Sequence, residues 1–216
     1  MRAASFRRGP EPAQPGLRAA ASPPLRTQPR RAAANESLTL DALRQDFERR
    51  ANRSMSMPIA GLVVWAFVGL AGLVLPLRAA VLVMVAATGA IFPIALAIAR
   101  LRGEALVSNP NALARLMGLC IVMVNLLWAV HLPLMAGAPG YVPLTLGIAL
   151  GLHWIVYGWI VQHRLGLVHA ILRTGLVLAA WLAWPEYRVA TVAGAVVIAY
   201  AVSLAMMARR HVDLPG

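Results

Sequence analysis

Long apolar blocks recur along the chain from residue 57 onward, with short polar segments between them. A helix needs about 20 mostly apolar residues to cross the hydrocarbon core of a bilayer, which is about 30 Å thick. Each block has to be helical, because an isolated strand would leave its backbone groups unpaired in lipid. The pattern therefore predicts an all-α, polytopic membrane helix bundle with six transmembrane helices, at residues 58–75, 79–99, 116–136, 141–161, 165–184 and 189–207.

The connections between most of these blocks are short. The segments PLR, GAPG, QHR and PEYR leave room only for tight turns, so sequence neighbours joined by them are expected to run antiparallel. Pro93 lies inside the second block and lacks a backbone N–H. We expect a kink there, because the helix loses one hydrogen bond at that point.

Polar segments flank the transmembrane domain. Residues 1–36 are rich in Ala, Pro and Arg and predict a disordered basic tail. Residues 37–56 predict an amphipathic juxtamembrane helix, with an apolar face of Leu40, Leu43 and Phe47. Two interpretations of this helix stay open, namely an anchor on anionic headgroups and a polar lead-in that contributes only to topology. The other divisions are the six-helix domain at 57–208 and a cytoplasmic tail at 209–216.

The composition excludes a soluble globular enzyme. Hydrophobic residues make up 60% of the chain and charged residues only 13%, whereas soluble domains carry about 25% charged residues. The net charge of +12 comes entirely from arginine. A strongly basic chain is also typical of nucleic-acid-binding proteins. Most arginines flank apolar blocks, and the chain has no nucleic-acid-reading motif. We therefore expect the bilayer, and not nucleic acid, to be the partner of this charge.

The arginines are unequally shared between the two sides of the predicted bundle. Cytoplasmic flanks carry an excess of Lys and Arg in membrane proteins. An orientation with both termini inside places ten arginines on the inner flanks and only Arg78 and Arg188 on the outer turns. We therefore predict cytoplasmic N- and C-termini in a bacterial cytoplasmic (inner) membrane. The inner-flank set is Arg44, Arg49, Arg50, Arg53, Arg100, Arg102, Arg115, Arg164, Arg209 and Arg210.

Catalytic motifs are missing from the sequence. None of the six blocks contains Asp or Glu, so paired-carboxylate acid–base chemistry has no residues at membrane depth. The single cysteine, Cys120, cannot form an internal disulfide or a cysteine-based zinc site. The P-loop, the dinucleotide glycine fingerprint, HExxH and GxSxG are all lacking. We predict no enzyme activity, no catalytic residues, no metal site and no cofactor.

Polar side chains inside the blocks are the remaining candidates for a binding site. Arg173 lies eight residues past Leu165, about 12 Å deep at 1.5 Å per residue, where an arginine costs about 2.5–3.5 kcal/mol. Its side chain either snorkels to the surface or points into the bundle. Because the turns make neighbouring helices antiparallel, polar residues of four helices fall at similar depths. The predicted ligand-binding layer is Asn125, His153, Tyr157, His169, Arg173 and Tyr200.

Two glycines define another face of the fourth block. Gly147 and Gly151 form a GxxxG pair, which lets helix backbones approach closely. Gly151 lies about 200° around the helix from His153, so the glycine face and the polar face should contact different neighbours. Ordinary packing is the simpler interpretation of the pair, and a homo-oligomer through Gly147 and Gly151 is kept as an alternative.

The apolar segments also resemble a known group of proteins. The resemblance rests on PIAGLVVWAFVGLAG (58–72), TGAIFPIALAIARLRGE (88–104), RLMGLCIVMVNLLWAVHLPLM (115–135) and LGIALGLHWIVYGWIVQHRLGLVHAILRT (146–174). These are similar to an uncharacterised family of bacterial multi-pass membrane proteins, over roughly residues 40–210. The resemblance implies a membrane protein and carries no activity, cofactor or site residue.

Three function classes are consistent with these features. The preferred one is a non-enzymatic small permease or ligand-binding membrane protein with a cationic, aromatic-lined layer, for which an anionic ligand or a lipid headgroup is the expected partner. A structural or partner-interacting membrane protein is the alternative. A lipid-modifying intramembrane enzyme is less favoured, because the apolar blocks contain no acids.

Overall fold

The computed structural model describes residues 39–51, 55–104, 106 and 109–210. These residues contain helices and no strand, which confirms the all-α fold class. The tail predicted at 1–36 and residues 211–216 lie outside the described residues. The α-helices are α1 (Leu40–Ala51), α2 (Ser56–Val74), α3 (Leu77–Gly89), α4 (Ile91–Arg102), α5 (Ala112–Leu126), α6 (Trp128–Gly137), α7 (Val142–Ala149), α8 (His153–Ile160), α9 (Leu165–Ala183) and α10 (Arg188–Arg209).

Six helical stretches are long and apolar enough to cross a membrane, as the sequence predicts. We refer to them as the first to sixth spans. The first and fifth are α2 and α9, and the sixth is α10 with the 3₁₀ turn before it. The second, third and fourth spans each consist of two α-helices, α3 with α4, α5 with α6 and α7 with α8. Their bounds are Ser56–Val74, Leu77–Arg102, Ala112–Gly137, Pro139–Ile160, Leu165–Ala183 and Pro185–Arg209.

The sixth span is the centre of the bundle, where it packs between the first and the fifth. Small residues bring the backbones of α2 and α10 together. A Cβ atom added to Gly72 would lie 2.7 Å from the backbone nitrogen of Ala190. Such close approach increases van der Waals contact between helices, which is the main source of helix association in lipid. Trp65, Val68 and Val196 fill the core beside this contact.

The third span lies at the edge of the bundle. Only 17% of its most apolar stretch is buried inside the protein, against 50% for the fourth span. Its α5 helix contacts α8 and α1, while the second and third spans do not pack closely against each other. Leu119, Val122 and Leu126 are exposed on its outer face, as expected for side chains in contact with acyl chains. A gap therefore remains between the second and third spans.

Three of the six spans are interrupted near their middle. The second breaks at Ala90, where Pro93 deprives the Gly89 carbonyl of the amide that would bond to it in a regular helix. The third breaks at Leu127. The fourth breaks between Ala149 and His153, and Gly151 lies in this break. The sequence predicts a kink only in the second span.

The α1 helix is docked against one end of the bundle, which we call the α1 end. Phe47 and Ala51 are buried there. The Asn111 side-chain amide donates to the Leu43 carbonyl and to the Asp46 carboxylate, each at 2.8 Å. The sequence leaves two interpretations of this helix open, an anchor on headgroups or a lead-in. The structure adds a role in packing that neither of them includes.

Two carboxylates secure the same end. Glu48 forms a two-pronged ion pair with Arg210, which follows the sixth span. Glu104 follows the second span and accepts hydrogen bonds from the backbone amides of Met55 and Ser56, at 3.3 and 3.0 Å. It thereby satisfies amides at the start of α2 that have no partner within the helix. The segments before the first span and after the sixth meet at this end, as an even number of crossings requires.

The opposite end, which we call the far end, is closed by aromatic residues. The Trp181 indole nitrogen donates to the Gly140 carbonyl at 2.7 Å. The Tyr141 ring lies 5.0 Å from Trp181, and the Arg188 guanidinium covers Trp181 at 4.3 Å. These contacts join the turns that follow the third and fifth spans.

Candidate functional site

Arg173 is fully buried in the interior of the bundle, with no solvent-exposed surface. Its Nε atom donates to the Gly147 carbonyl at 2.6 Å. The guanidinium carbon lies 5.4 Å from the centre of the Trp65 ring and 5.5 Å from that of Tyr200. This position excludes the snorkelling alternative. The rings provide electron-rich faces for the cation, and they also keep it away from lipid.

The glycine pair of the fourth span makes room for this arginine. A Cβ atom on Gly151 would lie 2.7 Å from Cδ of Arg173, and one on Gly147 would lie 3.0 Å from side-chain atoms of Val177 and Val192. Gly147 therefore faces the fifth and sixth spans of the same chain, and Gly151 faces the fifth. The close approach that the GxxxG pair permits is used inside the chain.

His169 lies one helical turn from Arg173 and is also fully buried. The Ser203 hydroxyl donates to the Ala199 carbonyl at 2.9 Å, so its oxygen accepts from Nδ1 of His169 at 2.8 Å. This arrangement places the proton of a neutral imidazole on Nδ1. The Trp154 indole stacks on the imidazole with ring centres 4.0 Å apart. The sequence gives no motif that would reveal Ser203 as the partner of His169.

These side chains form one closed cluster, which consists of Trp65, Trp154, His169, Arg173, Tyr200 and Ser203. Nη1 and Nη2 of Arg173 have no carbonyl or carboxylate acceptor among the described residues. The positive charge is therefore held by aromatic faces and by one backbone carbonyl. Without an acid beside it, the charge creates a positive potential in its surroundings, which a low dielectric strengthens.

His153 and Tyr157 lie on another face of the fourth span. They are four residues apart on α8 and share one side of the helix. The Nδ1 atom of His153 and the hydroxyl of Tyr157 are buried and have no hydrogen-bond partner among the described residues. Both residues line a cavity of about 330 Å³. Buried polar atoms almost always have a partner, so two unpartnered ones beside a cavity indicate a place where a ligand or water can bind.

This larger cavity lies at the α1 end of the bundle. Phe47 of α1 covers part of it, and Asn109 and Arg115 stand at the start of the third span. Arg115 is exposed and has no ion-pair partner among the described residues. The cavity therefore has a polar, basic mouth and an interior lined mostly by apolar side chains.

A smaller cavity of about 130 Å³ continues deeper into the bundle. The two cavities share Met57, Pro58, Phe92, Ile121, His153 and Trp154, and we call them together the open groove. All three helix interruptions border the smaller cavity. Gly89 and Ile91 flank the interruption of the second span, Trp128 follows that of the third, and Leu150 and His153 belong to that of the fourth. Irregular backbone at membrane depth is tolerated where it is buried in protein or lines a cavity.

The predicted polar layer is therefore divided. His169 and Arg173 belong to the closed cluster, while His153 and Tyr157 line the open groove. Tyr200 belongs to both, because its ring lies under Arg173 and also lines the smaller cavity. Asn125 borders the smaller cavity but is exposed, and its side-chain amide donates to the Ile121 carbonyl of its own helix at 2.8 Å.

Two other histidines have structural partners. Nδ1 of the buried His131 lies 3.1 Å from the Thr145 hydroxyl. His163, in the turn before α9, accepts a hydrogen bond from the Leu165 amide at 3.1 Å. Burial and the nearby charges of Arg210 and Arg164 lower the pKa of His163, which favours the neutral form that this bond needs. Within the described part of the chain, no group of three or more His, Cys, Asp or Glu side chains could hold a metal ion.

One comparison with known proteins gives a match. Residues 40–210 match the model of a family of unknown function, DUF7010. The match covers all six spans and α1. No curated protein and no solved structure matches the chain.

Proposed function

The chain belongs to the DUF7010 family of unknown function, and we propose that it is a non-enzymatic multi-pass protein of the bacterial cytoplasmic membrane that binds a small ligand. It acts either as a small permease or as a ligand-binding membrane protein. The ligand occupies the open groove, next to the positive charge of the closed cluster.

The observation that carries this proposal is the convergence of three helix interruptions on one cavity. Breaks in the second, third and fourth spans all border the smaller cavity of the open groove. Discontinuous helices that meet near the bilayer midplane form the substrate sites of many secondary transporters. At these interruptions tighter i→i−3 hydrogen bonds replace regular helical ones, such as those from the Leu127 amide to the Val124 carbonyl and from the Gly151 amide to the Ile148 carbonyl. A short 3₁₀ stretch inside a helix often marks a functional hinge.

Electrostatics favours an anionic ligand. Arg173 is buried, and no carboxylate lies beside it among the described residues. An anion in the adjacent groove would offset part of the unfavourable desolvation of this charge. His153 and Tyr157 add a ring nitrogen and a hydroxyl without protein partners, and both can donate hydrogen bonds to an anion.

The orientation in the membrane supports access from the cytoplasm. The arginine distribution assigns the α1 end to the inside. The larger cavity lies at that end, so the groove faces the cytoplasm or the inner leaflet. Reporter fusions after residues 78, 140 and 187 should report an external location, and fusions after 108, 163 and 210 an internal one. A reversed pair would contradict this orientation.

The binding proposal is tested with purified protein in an uncharged detergent. Thermal unfolding is followed during titration with sodium chloride, sodium phosphate, sodium acetate and sodium dodecanoate, with sodium gluconate holding ionic strength constant. At least one of the four anions should raise the unfolding temperature saturably. The Arg173→Leu variant should remain folded, because it removes a buried charge that has no acidic partner, and it should lose the ligand-induced shift. Arg173→Lys should show a reduced shift.

Two results would contradict the proposal. One is the absence of a saturable shift for every anion with the wild-type protein. The other is an unchanged shift for Arg173→Leu, which would mean that the buried charge takes no part in binding. Size-exclusion chromatography and helical circular dichroism establish whether each variant is folded before its titration is interpreted.

A further inference from the structure

We infer that the ligand is an anionic amphiphile of the inner leaflet, which places its charged head in the larger cavity and its acyl chain in the smaller one. This inference rests on the proposed function and narrows it to a class of ligand. It depends on the length of the groove, its opening, the character of its walls and the placement of its charges.

The length of the groove corresponds to one leaflet of a bilayer. It follows the third span from Arg115 at the α1 end to Trp128 just beyond the interruption. This distance is 13 residues of mostly helical chain, or about 20 Å at 1.5 Å per residue. Half of the hydrocarbon core is about 15 Å thick. The groove thus begins at the level of the headgroups and ends near the midplane, as a lipid chain does.

The groove opens sideways between the second and third spans. These two spans do not pack closely against each other, which leaves a lateral gap. Phe92 on α4 and Gly118 on α5 line the groove and are exposed. Gly118 has no side chain to narrow the gap, and a Cβ atom added there would meet nothing within 4 Å. A molecule dissolved in the bilayer can therefore enter without passing through water.

The walls change character along the groove. The deep part is bordered mainly by apolar side chains such as Ile91, Val124 and Leu150. The part near the α1 end adds Asn109 and Arg115 to the partnerless groups of His153 and Tyr157. Polar groups thus cluster at the headgroup end and apolar ones at the midplane end, so head and chain each have a matching environment.

The charged side chains beside the groove determine the sign of the charge that the ligand's headgroup should carry. Arg115 borders the larger cavity and has no acidic partner among the described residues. Among the residues that the structure describes, no carboxylate lines either cavity. A carboxylate or phosphate head can therefore pair with Arg115 and accept hydrogen bonds from Tyr157, while the buried charge of Arg173 adds a favourable potential.

The test uses the intact protein in nanodiscs of zwitterionic lipid at mildly alkaline pH. Two probes of equal chain length are compared, a terminally brominated fatty acid and the matching brominated alcohol. Bromine quenches tryptophan fluorescence at short range, and Trp154 borders both cavities. The acid should quench saturably, and the alcohol should need at least a tenfold higher concentration. Trp154→Phe should reduce the saturable component, which assigns it to the groove.

Variants at the mouth identify the head contact. Arg115→Gln should weaken the acid about tenfold and leave the alcohol unchanged. The matched control is Arg100→Gln, which removes an exposed arginine of the second span that lines neither cavity. It should leave both probes unchanged. Equal quenching by acid and alcohol, or equal effects of the two arginine variants, would overturn the inference of a charged head.

Failure of this inference can be distinguished from failure of the proposed function. Stabilisation by acetate or phosphate that equals the effect of dodecanoate would keep the groove as an anion site and overturn the acyl-chain assignment. Trp128 also lines the deep part of the groove. Saturable quenching that survives unchanged in the double variant Trp128→Phe, Trp154→Phe would place the amphiphile elsewhere on the lipid-facing surface, and it would overturn the assignment to the groove. The absence of any anion-induced rise in the unfolding temperature would contradict the proposed function itself.

Discussion

The closed cluster and the open groove contain similar side chains in different surroundings. In the closed cluster, His169 has Ser203 as a partner and Arg173 has Gly147 and two aromatic rings. In the open groove, His153 and Tyr157 each have a buried polar atom without a partner. The two regions adjoin each other, because Trp154 and Tyr200 contribute to both. Among the described residues, unpartnered polar atoms also remain in the closed cluster, including Nε2 of His169 and both Nη atoms of Arg173, but these two residues border neither cavity. The unpartnered atoms of His153 and Tyr157 lie beside a cavity, where they are available to a ligand.

The surrounding helices differ in the same way. Continuous helices, the first, fifth and sixth spans, provide most of the closed cluster and pack with glycine and alanine at their contacts. The interrupted second, third and fourth spans surround the groove together with the start of the first. The continuous spans thus pack closely against one another, whereas the groove lies among the interrupted ones. Three tests by substitution address this contrast, from the largest expected effect to the smallest.

The tightest contact between the two regions should tolerate no added atom. Gly166 on α9 faces Gly158 on α8, and a Cβ atom on Gly166 would collide with the Trp154 carbonyl. Backbone atoms cannot move aside as a side chain can. Gly166→Ala should therefore lower the free energy of unfolding by about 3 kcal/mol, near the upper end of typical overpacking effects. Thermal or denaturant unfolding in detergent measures the change.

Gly175→Ala is the matched control for this prediction. It lies on the same helix, and its added Cβ would meet nothing within 4 Å. Alanine is favoured over glycine inside a helix by about 1 kcal/mol, so this variant should be as stable as the wild type or more stable. Equal behaviour of the two variants would show that α8 and α9 are not packed backbone to backbone.

Removal of a single hydroxyl should lower the stability of the protein in the closed cluster and weaken ligand binding in the open groove. Ser203→Ala leaves the buried Nδ1–H of His169 without an acceptor and should destabilise the protein by about 1–3 kcal/mol. Tyr157→Phe removes a hydroxyl that already lacks a partner. It should leave the stability unchanged and weaken binding of the brominated fatty acid. Loss of stability in Tyr157→Phe, without a change in binding, would make the groove a structural site.

A smaller effect is expected at the turn that joins the two regions. The pKa of His163 is lowered in the folded state by burial and by the charges of Arg210 and Arg164. A lowered histidine pKa favours folding fully above the unfolded value of about 6.5, and this contribution is lost as the pH falls through the folded value. His163→Asn keeps an acceptor for the Leu165 amide but does not titrate in this range.

The unfolding temperature of the wild type should therefore fall below pH 6.5 more steeply than that of His163→Asn. The corresponding difference in the free energy of unfolding between the two proteins is expected to be within about 1 kcal/mol, the typical contribution of a helix cap. Parallel pH profiles for the two proteins would show that the hydrogen bond of His163 does not contribute to stability.

The sequence is informative about the spans because membrane thickness limits them directly. Six apolar blocks of sufficient length predict six membrane-spanning segments, and the described residues contain six. The interior position of Arg173 follows from the same physics, since a lipid-facing arginine is costly. These predictions need only composition along the chain and a length scale.

The division of the polar layer into two regions cannot be predicted from the depth of each residue in the membrane alone. Antiparallel neighbours place His153 and Arg173 at similar depths, yet rotation about each helix axis decides which neighbour a side chain meets. Gly151 faces Arg173, whereas His153 two residues later faces the groove. The partners of His169 and Glu104 depend on contacts between distant segments. The interruption of the third span has no proline or glycine at Leu127 to reveal it.

The ion pair between Glu48 and Arg210 imposes an order on biosynthesis. Its two residues are 162 positions apart. At a synthesis rate of roughly 5–20 residues per second, Arg210 is made on the order of ten seconds or more after Glu48. During this interval α1 already exists, but its Glu48 carboxylate lacks the donor that Arg210 provides. Asn111, which donates to Asp46 and Leu43 of the same helix, is made earlier. The attachment of α1 is therefore complete only after the sixth span has been made, and the ion pair with Arg210 marks a chain in which that span is present.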